Sequence, residues 1–486
     1  MAYKLFDINS PADLDFIAEY LDDAYEPQFV IDQLKAGLDP RCKKILLETY
    51  YNDKDYRSTY YNYYAKKGYR YDISCARLHF FDHRVQLLDG LELRFEINEP
   101  DEKSSNTYFG YMVLRPTREN TIGRTVIAPS AIKAFHGSII ESNHKVHLLG
   151  HKLVVAGFPY MSQHADISVC AHAACWTILR HFSERFSKYA ELLTYDITRM
   201  AHEFDPGGLV PSTGLHVGHA ERVFASAGTY PVLVVKNADN FGTFFSQLLA
   251  YVESGFPLFA ELERIGHAVT IIGHTGFGGP VSKSAACHFA YDTVSDLVVV
   301  DDNMLPYHTI ARPAGIGDDY GCDDITAFIV PLPEKIYYPA EYADNLAVIL
   351  ATEQHLGFDH AALGEPIVRY FLTTASHLRS FAHRGRSQFD PELLKIIMQL
   401  TLPQFVWLIE ISSIEQWKNG TIATRVVVDA TASPDENLPI FLMHNTERAY
   451  FWDRGGDREE HYVRLVPPLN APLSRMDGDD GNLETH

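Results

Sequence analysis

The sequence predicts an α+β protein in three consecutive segments, and three observations carry that prediction. Apolar residues at Ala171, Ala174, Cys175, Ile178, Leu179, Phe182 and Phe186 recur with a helical period, so a helix with one buried face runs from about 170 to 188. Short apolar or alternating runs at 78–81, 91–97, 108–114, 267–274 and 297–301 read as strands scattered among the helices. A chain of 486 residues has length for two or three cores, and 46% hydrophobic with 22% charged residues is a globular balance rather than a disordered one.

The N-terminal α+β segment, 1–155, opens with helical patterning over 12–47. A stretch with nine tyrosines between Tyr50 and Tyr71 follows, interleaved with Lys54, Arg57, Lys66, Lys67 and Arg70. An aromatic, basic surface for a peptide or single strand is one reading. Tyrosines forming the half-buried face of a helical segment are the favoured one, by about four to one.

The middle segment, 156–335, alternates helices, a Gly/Pro-rich loop at 205–214 and buried strands, and leaves through Leu332-Pro333-Glu334-Lys335. The C-terminal α+β segment, 336–470, has helical patterning at 342–354, 366–381 and 391–399, then strands at 405–409, 425–428 and 440–443. Residues 471–486 carry Asp477-Gly478-Asp479-Asp480-Gly481 and read as a flexible acidic tail.

Charge narrows the function. Lys and Arg number 42 against 63 Asp and Glu, and a net charge of −21 gives no general attraction for phosphate backbones or anionic lipid. Neither nucleic acid nor membrane is an expected partner. The N-terminus lacks the pattern of a secretory signal, and no apolar run reaches the roughly 18 to 20 residues of a spanning helix, so the expected location is cytoplasmic. The six cysteines are scattered and form no Cys-x-x-Cys pair, which argues for reduced thiols and against structural zinc.

Two of those cysteines compete as nucleophiles. Cys175 falls inside the apolar stripe, where a thiol behaves as a small hydrophobe. Cys170 falls at the helix entrance, with Asp166 or Ser168 placed to cap it. The positive end of the helix dipole there favours thiolate, so Cys170 is the candidate and Cys175 the reserve. A base comes from Gly266-His267-Ala268-Val269, where His267 opens an apolar strand directly after a glycine that leaves room beside it. With 23 histidines in the chain, residue type alone says little, and order and context single His267 out. An orienting group comes from Val300-Asp301-Asp302-Asn303 at the end of a buried strand, where a carboxylate can hold an imidazole in one tautomer. Asp302 is the chosen orienter, with Asp301 and Asn303 in reserve. His216 and His219, three apart on a helix, offer a weaker metal reading at about one in ten; no carboxylate or cysteine completes a set, so no metal or other cofactor is expected.

In order, Gln163, Cys170-x-x-Ala173-Ala174, Gly207-Gly208-Leu209, Gly214-Leu215, Gly255-x-Pro257, Gly266-His267-Ala268-Val269 and Val300-Asp301-Asp302 resemble the papain-like peptidases related to double-glycine leader peptidases of bacteriocin exporters. The resemblance covers about 180 residues, 156–335. It implies a central helix packed on an antiparallel sheet, Cys170 as nucleophile, His267 as base, Asp302 as orienter and Gln163 in the oxyanion hole. Three departures mark this chain. Gln163 lies seven residues before Cys170 instead of six, Ala171 stands where the family has glycine, and Asn303 follows the aspartates in place of proline; an insertion occupies about 276–286.

The implied activity is a cysteine peptidase or related thiol hydrolase acting on a peptide or protein substrate through a thioester. The same residues in the same order serve thiol acyltransferases resembling transglutaminases, arylamine acetyltransferases or phytochelatin synthases. A third expectation is a non-catalytic binding or regulatory module on the same fold. Flexible rims at 205–214 and 276–286, and flanking segments able to bind a partner or build an oligomer, complete the expectations.

Overall fold

A computed structural model describes residues 3–96, 104–133, 135–163, 170–202, 216–278, 287–315, 318–436, 438–453, 459–466, 472–476 and 482–486. Mixed α+β architecture is observed. Its middle layer is an antiparallel sheet in the order Tyr230–Val235, Ala327–Leu332, Leu258–Leu262, His267–His274, Asp296–Val300, His308–Ala311. These strands are rich in Val, Ile, Leu and Phe on both faces, which suits a sheet buried between two layers.

One face of the sheet takes the helix Cys170–Arg185, whose Ala171, Ala174, Cys175, Ile178 and Phe182 pack with Phe259, Ala268 and Ile329. The same face continues into the N-terminal core, where Ile272, Val298 and Val300 join Ile45, Leu78 and Met112. The opposite face packs Val269, Ile271, Leu297 and Val299 against Tyr370, Trp407 and Val426 of the C-terminal segment. Cores therefore run across the expected boundaries at 155 and 335 and do not stop at them. The N-terminal segment is built on a five-stranded antiparallel sheet, Tyr3–Asp7, Lys44–Tyr51, Cys75–Phe81, Tyr108–Leu114 and Ile122–Ile127. The C-terminal segment is built on a seven-stranded sheet whose first strand, His288–Phe289, belongs to the middle segment and pairs in parallel with Ile367–Thr374.

Several expectations change. Residues 44–51 form a strand within the stretch patterned as helix, because Ile45, Leu46 and Leu47 all find buried neighbours in a central strand. The pattern over 366–381 divides into the strand Ile367–Thr374, buried on both faces, and the helix Ala375–Arg384, which Thr374 caps. Nor is the tail loose at its ends. Leu473–Ser474 pairs with Thr421–Ile422, Met476 and Leu483 are buried, and Glu484–Thr485 pairs with Ser138–Ile139, itself bonded to the end of the His267–His274 strand. Its three apolar side chains anchor it despite the acidic run, of which 477–481 lies outside the described residues. Gly273 permits that junction, since a Cβ there would sit 2.1 Å from the Ser138 carbonyl oxygen.

Within the tyrosine stretch, Tyr56 and Tyr64 are buried among Cys75, Phe81 and Tyr108, while Tyr61 and Tyr69 are exposed. That is the half-buried helical face. Among the described residues no helix is long and apolar enough to cross a membrane.

Candidate active site

The strand register brings the site together. Thr270 pairs with Val300 and Ile271 with Val299, so the antiparallel pairing sets the start of the His267 strand beside the end of the Asp296–Val300 strand. Continuing that register puts position 301 opposite Val269, on the same sheet face as His267 and diagonal to it. On the other side of the sheet, Thr270 Oγ1 donates to the Ala174 carbonyl at 3.4 Å, one helical turn past Cys170. The entrance of the Cys170 helix therefore lies level with His267. Gly266 takes φ +63°, a left-handed turn residue closing the one-turn 3-10 helix Glu263–Ile265 that leads into His267. No atom lies within 4 Å of a Cβ built there, so conformation and not space calls for glycine.

His267 Nε2 lies 3.1 Å from Asp301 Oδ1 and 3.9 Å from Asp302 Oδ1. The nearer contact is an ion pair when the ring is protonated. The Cys170 thiol is in hydrogen-bonding contact with the same ring. Burial of the ring opposes its charge, but Asp301 and Cys170 together outweigh burial and raise His267 to about 10. Cys170 itself is half-buried, whereas burial drives the Cys175 thiol far above its ordinary value.

Asp301 is fully engaged. Its Oδ1 accepts from the Asn303 backbone N–H at 2.9 Å and from Asn303 Nδ2 at 3.2 Å, and its Oδ2 accepts from the Tyr320 hydroxyl. Burial works against its ionised form, yet the bonds from His267, Tyr320 and Asn303 prevail and hold its pKa below the ordinary value. Asp302 is the opposite case. Its carboxylate is buried against the Gln163 backbone, and burial lifts it to about 6, which His267 and that backbone offset only in part.

The structure thus brings Cys170, His267, Asp301 and Asp302 together, with Asp301 nearer the imidazole than the Asp302 that the family habit favours. Alternation along the strand explains the difference, since 267 and 301 share a face. Asn303 braces Asp301 instead of facing His267. Gln163 is close by: its backbone meets Asp302, and its carbonyl accepts from Arg115 Nη2 at 3.2 Å, an arginine that also holds Ser162. The helix-capping candidates Asp166 and Ser168, the loop 205–214 and residues 279–286 of the insertion lie outside the described residues. His216 and His219 sit with ring centroids 6.0 Å apart. Among the described residues the three-member cluster with metal-ligating atoms is His267, Asp301 and Asp302 instead.

Tyr320 is the residue that sequence reasoning missed. Its ring meets His267 edge-on at 6.0 Å while its hydroxyl holds Asp301. A lone tyrosine in a loop after Asp318-Asp319 carries no signal of that role.

A scan against protein-family models finds no match, and no curated protein matches the chain.

Proposed function

We propose that this protein is a cysteine hydrolase of the papain-like type, cleaving a peptide, isopeptide or amide bond of a peptide or protein substrate through a Cys170 thioester. The observation that carries the reading is His267, held between the Cys170 thiol and the Asp301 carboxylate at the entrance of a buried helix. A cation on His267 stabilises the thiolate beside it, and the thiolate is the nucleophilic form.

In the first half of the reaction the Cys170 sulfur attacks the carbonyl carbon and the C–N bond breaks. His267 gives its proton to the departing amine. In the second half His267 takes a proton from water, the hydroxide attacks the thioester, and the thiolate is released as the acid leaves. Asp301 holds the ring orientation and stabilises its charged form, and Tyr320 with Asn303 holds Asp301. The Cys170 backbone N–H and the Gln163 side chain are the donors assigned to the oxyanion.

Intact-protein mass spectrometry after incubation with peptide and amide substrates tests this directly. The expected result is an acyl adduct on Cys170 that decays to free acid and is absent from Cys170→Ala. Capture of the acyl group by added amine, in preference to water, assigns the protein to the acyltransferases. No adduct with any substrate, together with an unreactive Cys170, assigns it to non-catalytic modules.

A further inference from the structure

Arg115 follows the strand Tyr108–Leu114 and is 2% exposed, yet among the described residues its side chain bonds only to uncharged oxygens. Nη2 reaches the Asn120 carbonyl, the Ser162 carbonyl at 3.1 Å, the Ser162 hydroxyl at 3.2 Å and the Gln163 carbonyl at 3.2 Å. Gly123 makes room for the stem, since a Cβ there would sit 3.1 Å from Arg115 Cγ. Burying a guanidinium without an ion pair is costly, and a cation whose donors converge on one stretch of backbone fixes that stretch. This stretch leads to the site. Tyr160 exchanges backbone bonds of 2.8 and 2.9 Å with Thr125, and Ser162 donates to the Ile122 carbonyl from its N–H at 3.0 Å and its hydroxyl at 2.7 Å. The chain is therefore laid along the N-terminal sheet up to Gln163. There a second group meets it. The buried Asp302 carboxylate faces the Gln163 backbone, and the Tyr160 hydroxyl donates to the Asp302 carbonyl at 3.3 Å. Asp301 already orients His267, so the grip on Gln163 is what Asp302 adds.

We infer that Arg115 and Asp302 are positioning residues that together hold Gln163 in place as the oxyanion donor, so that the N-terminal segment completes the active site. The inference rests on the roles proposed above for Cys170 and Gln163. An oxyanion hole works because its donors are fixed before the reaction, and one such donor is worth roughly 10²- to 10³-fold in rate. A donor displaced by about 1 Å loses much of that advantage. Lysine at position 115 keeps the charge but replaces the planar fork with a single point of attachment. Asparagine at position 302 keeps the shape and removes the charge that faces the Gln163 backbone.

The test compares two reactions of Cys170 in the full chain. With p-nitrophenyl acetate the sulfur bonds the acetyl carbon, the ester C–O bond breaks and p-nitrophenolate leaves with the electron pair, by way of an oxyanion. With iodoacetamide the sulfur displaces iodide at a saturated carbon, and no oxyanion forms. Acylation slower by about tenfold or more in Arg115→Lys, with alkylation within about twofold of native, is expected. Asp302→Asn should slow acylation more than alkylation. In a Gln163→Ala background either substitution should change acylation by less than about twofold, because the donor it positions is gone. Melting curves check folding, and the two substitutions reach Gln163 from different elements, so one that fails to fold leaves the other to decide. Acylation and alkylation falling in parallel, or effects that multiply fully with Gln163→Ala, overturn the inference. If Gln163→Ala acylates like the native protein while Cys170→Ala does not acylate, the hydrolase reading survives and this inference fails. If native Cys170 is never acylated, both fail.

Discussion

Trp176, on the buried face of the Cys170 helix, donates from Nε1 to Asp55 Oδ1 of the N-terminal segment at 3.1 Å. Asp55 also pairs with Arg124 and accepts the Thr194 backbone N–H at 3.2 Å, so one buried carboxylate ties the helix, its following loop and the N-terminal sheet together. The N-terminal segment is thus a support for the helix that carries Cys170.

Trp176→Phe keeps most of the packing and loses the bond, so an unfolding free energy lower by about 1–2 kcal/mol is expected from denaturant titration. Asp55→Ala also takes from Arg124 its nearest carboxylate, leaving it Asp53 and Glu191, and should cost more than Trp176→Phe. Equal effects from both substitutions would show that the arginine pairing adds nothing.

The two aspartates separate by function. Asp301→Asn is expected to lower turnover of an acylating substrate by roughly 10²- to 10⁴-fold, because it removes the charge that orients and stabilises the imidazolium. Asp302→Asn in metal-free buffer should reduce turnover by less, and Tyr320→Phe, which frees one oxygen of Asp301, should fall between Asp301→Asn and the native protein. Steady-state kinetics on the three variants decide the ranking, and a larger loss for Asp302→Asn than for Asp301→Asn would return the orienting role to Asp302.

Asp302 also leaves a mark on stability. Its pKa is raised from 3.8 to about 6 by burial, so the folded state holds the proton more tightly than the unfolded chain. That contribution is present below about pH 4 and lost as pH rises to 6, amounting to at most about 3 kcal/mol. The melting temperature of Asp302→Asn relative to the native protein should therefore climb between those pH values. A difference that stays flat would mean the carboxylate has a partner in solution.

Much of this was legible in the sequence, for definite reasons. The helical period moved Cys175 into the core, and the structure buries it beside Ala171 and Phe182. The strand starting at His267 and the strand ending before Asp301 were readable as apolar runs bounded by polar residues. Register was not, since the 270-to-300 pairing that selects Asp301 over Asp302 comes from neighbouring strands. Ile367–Thr374 read as helix because its apolar residues are continuous and only its sheet neighbours make it a strand. Tyr320 and the docked Leu483 depend on contacts far apart along the chain.

The cysteines should differ sharply in reactivity. Burial keeps the Cys175 thiol protonated, so peptide mapping after brief iodoacetamide treatment is expected to find label on Cys170 and none on Cys175. Cys175→Ala should cost only about 1–2 kcal/mol and leave that labelling intact.

The central claim is that His267 activates Cys170, and the pH profile of Cys170 alkylation in metal-free protein tests it most directly. His267, raised to about 10, is cationic beside the thiol, so the native protein should alkylate rapidly at Cys170 at about pH 6.5. In His267→Ala the rate at about pH 6.5 should fall more than tenfold and recover only as pH approaches about 8.5, the range of an ordinary thiol. Superimposable profiles for the native protein and His267→Ala would contradict the account.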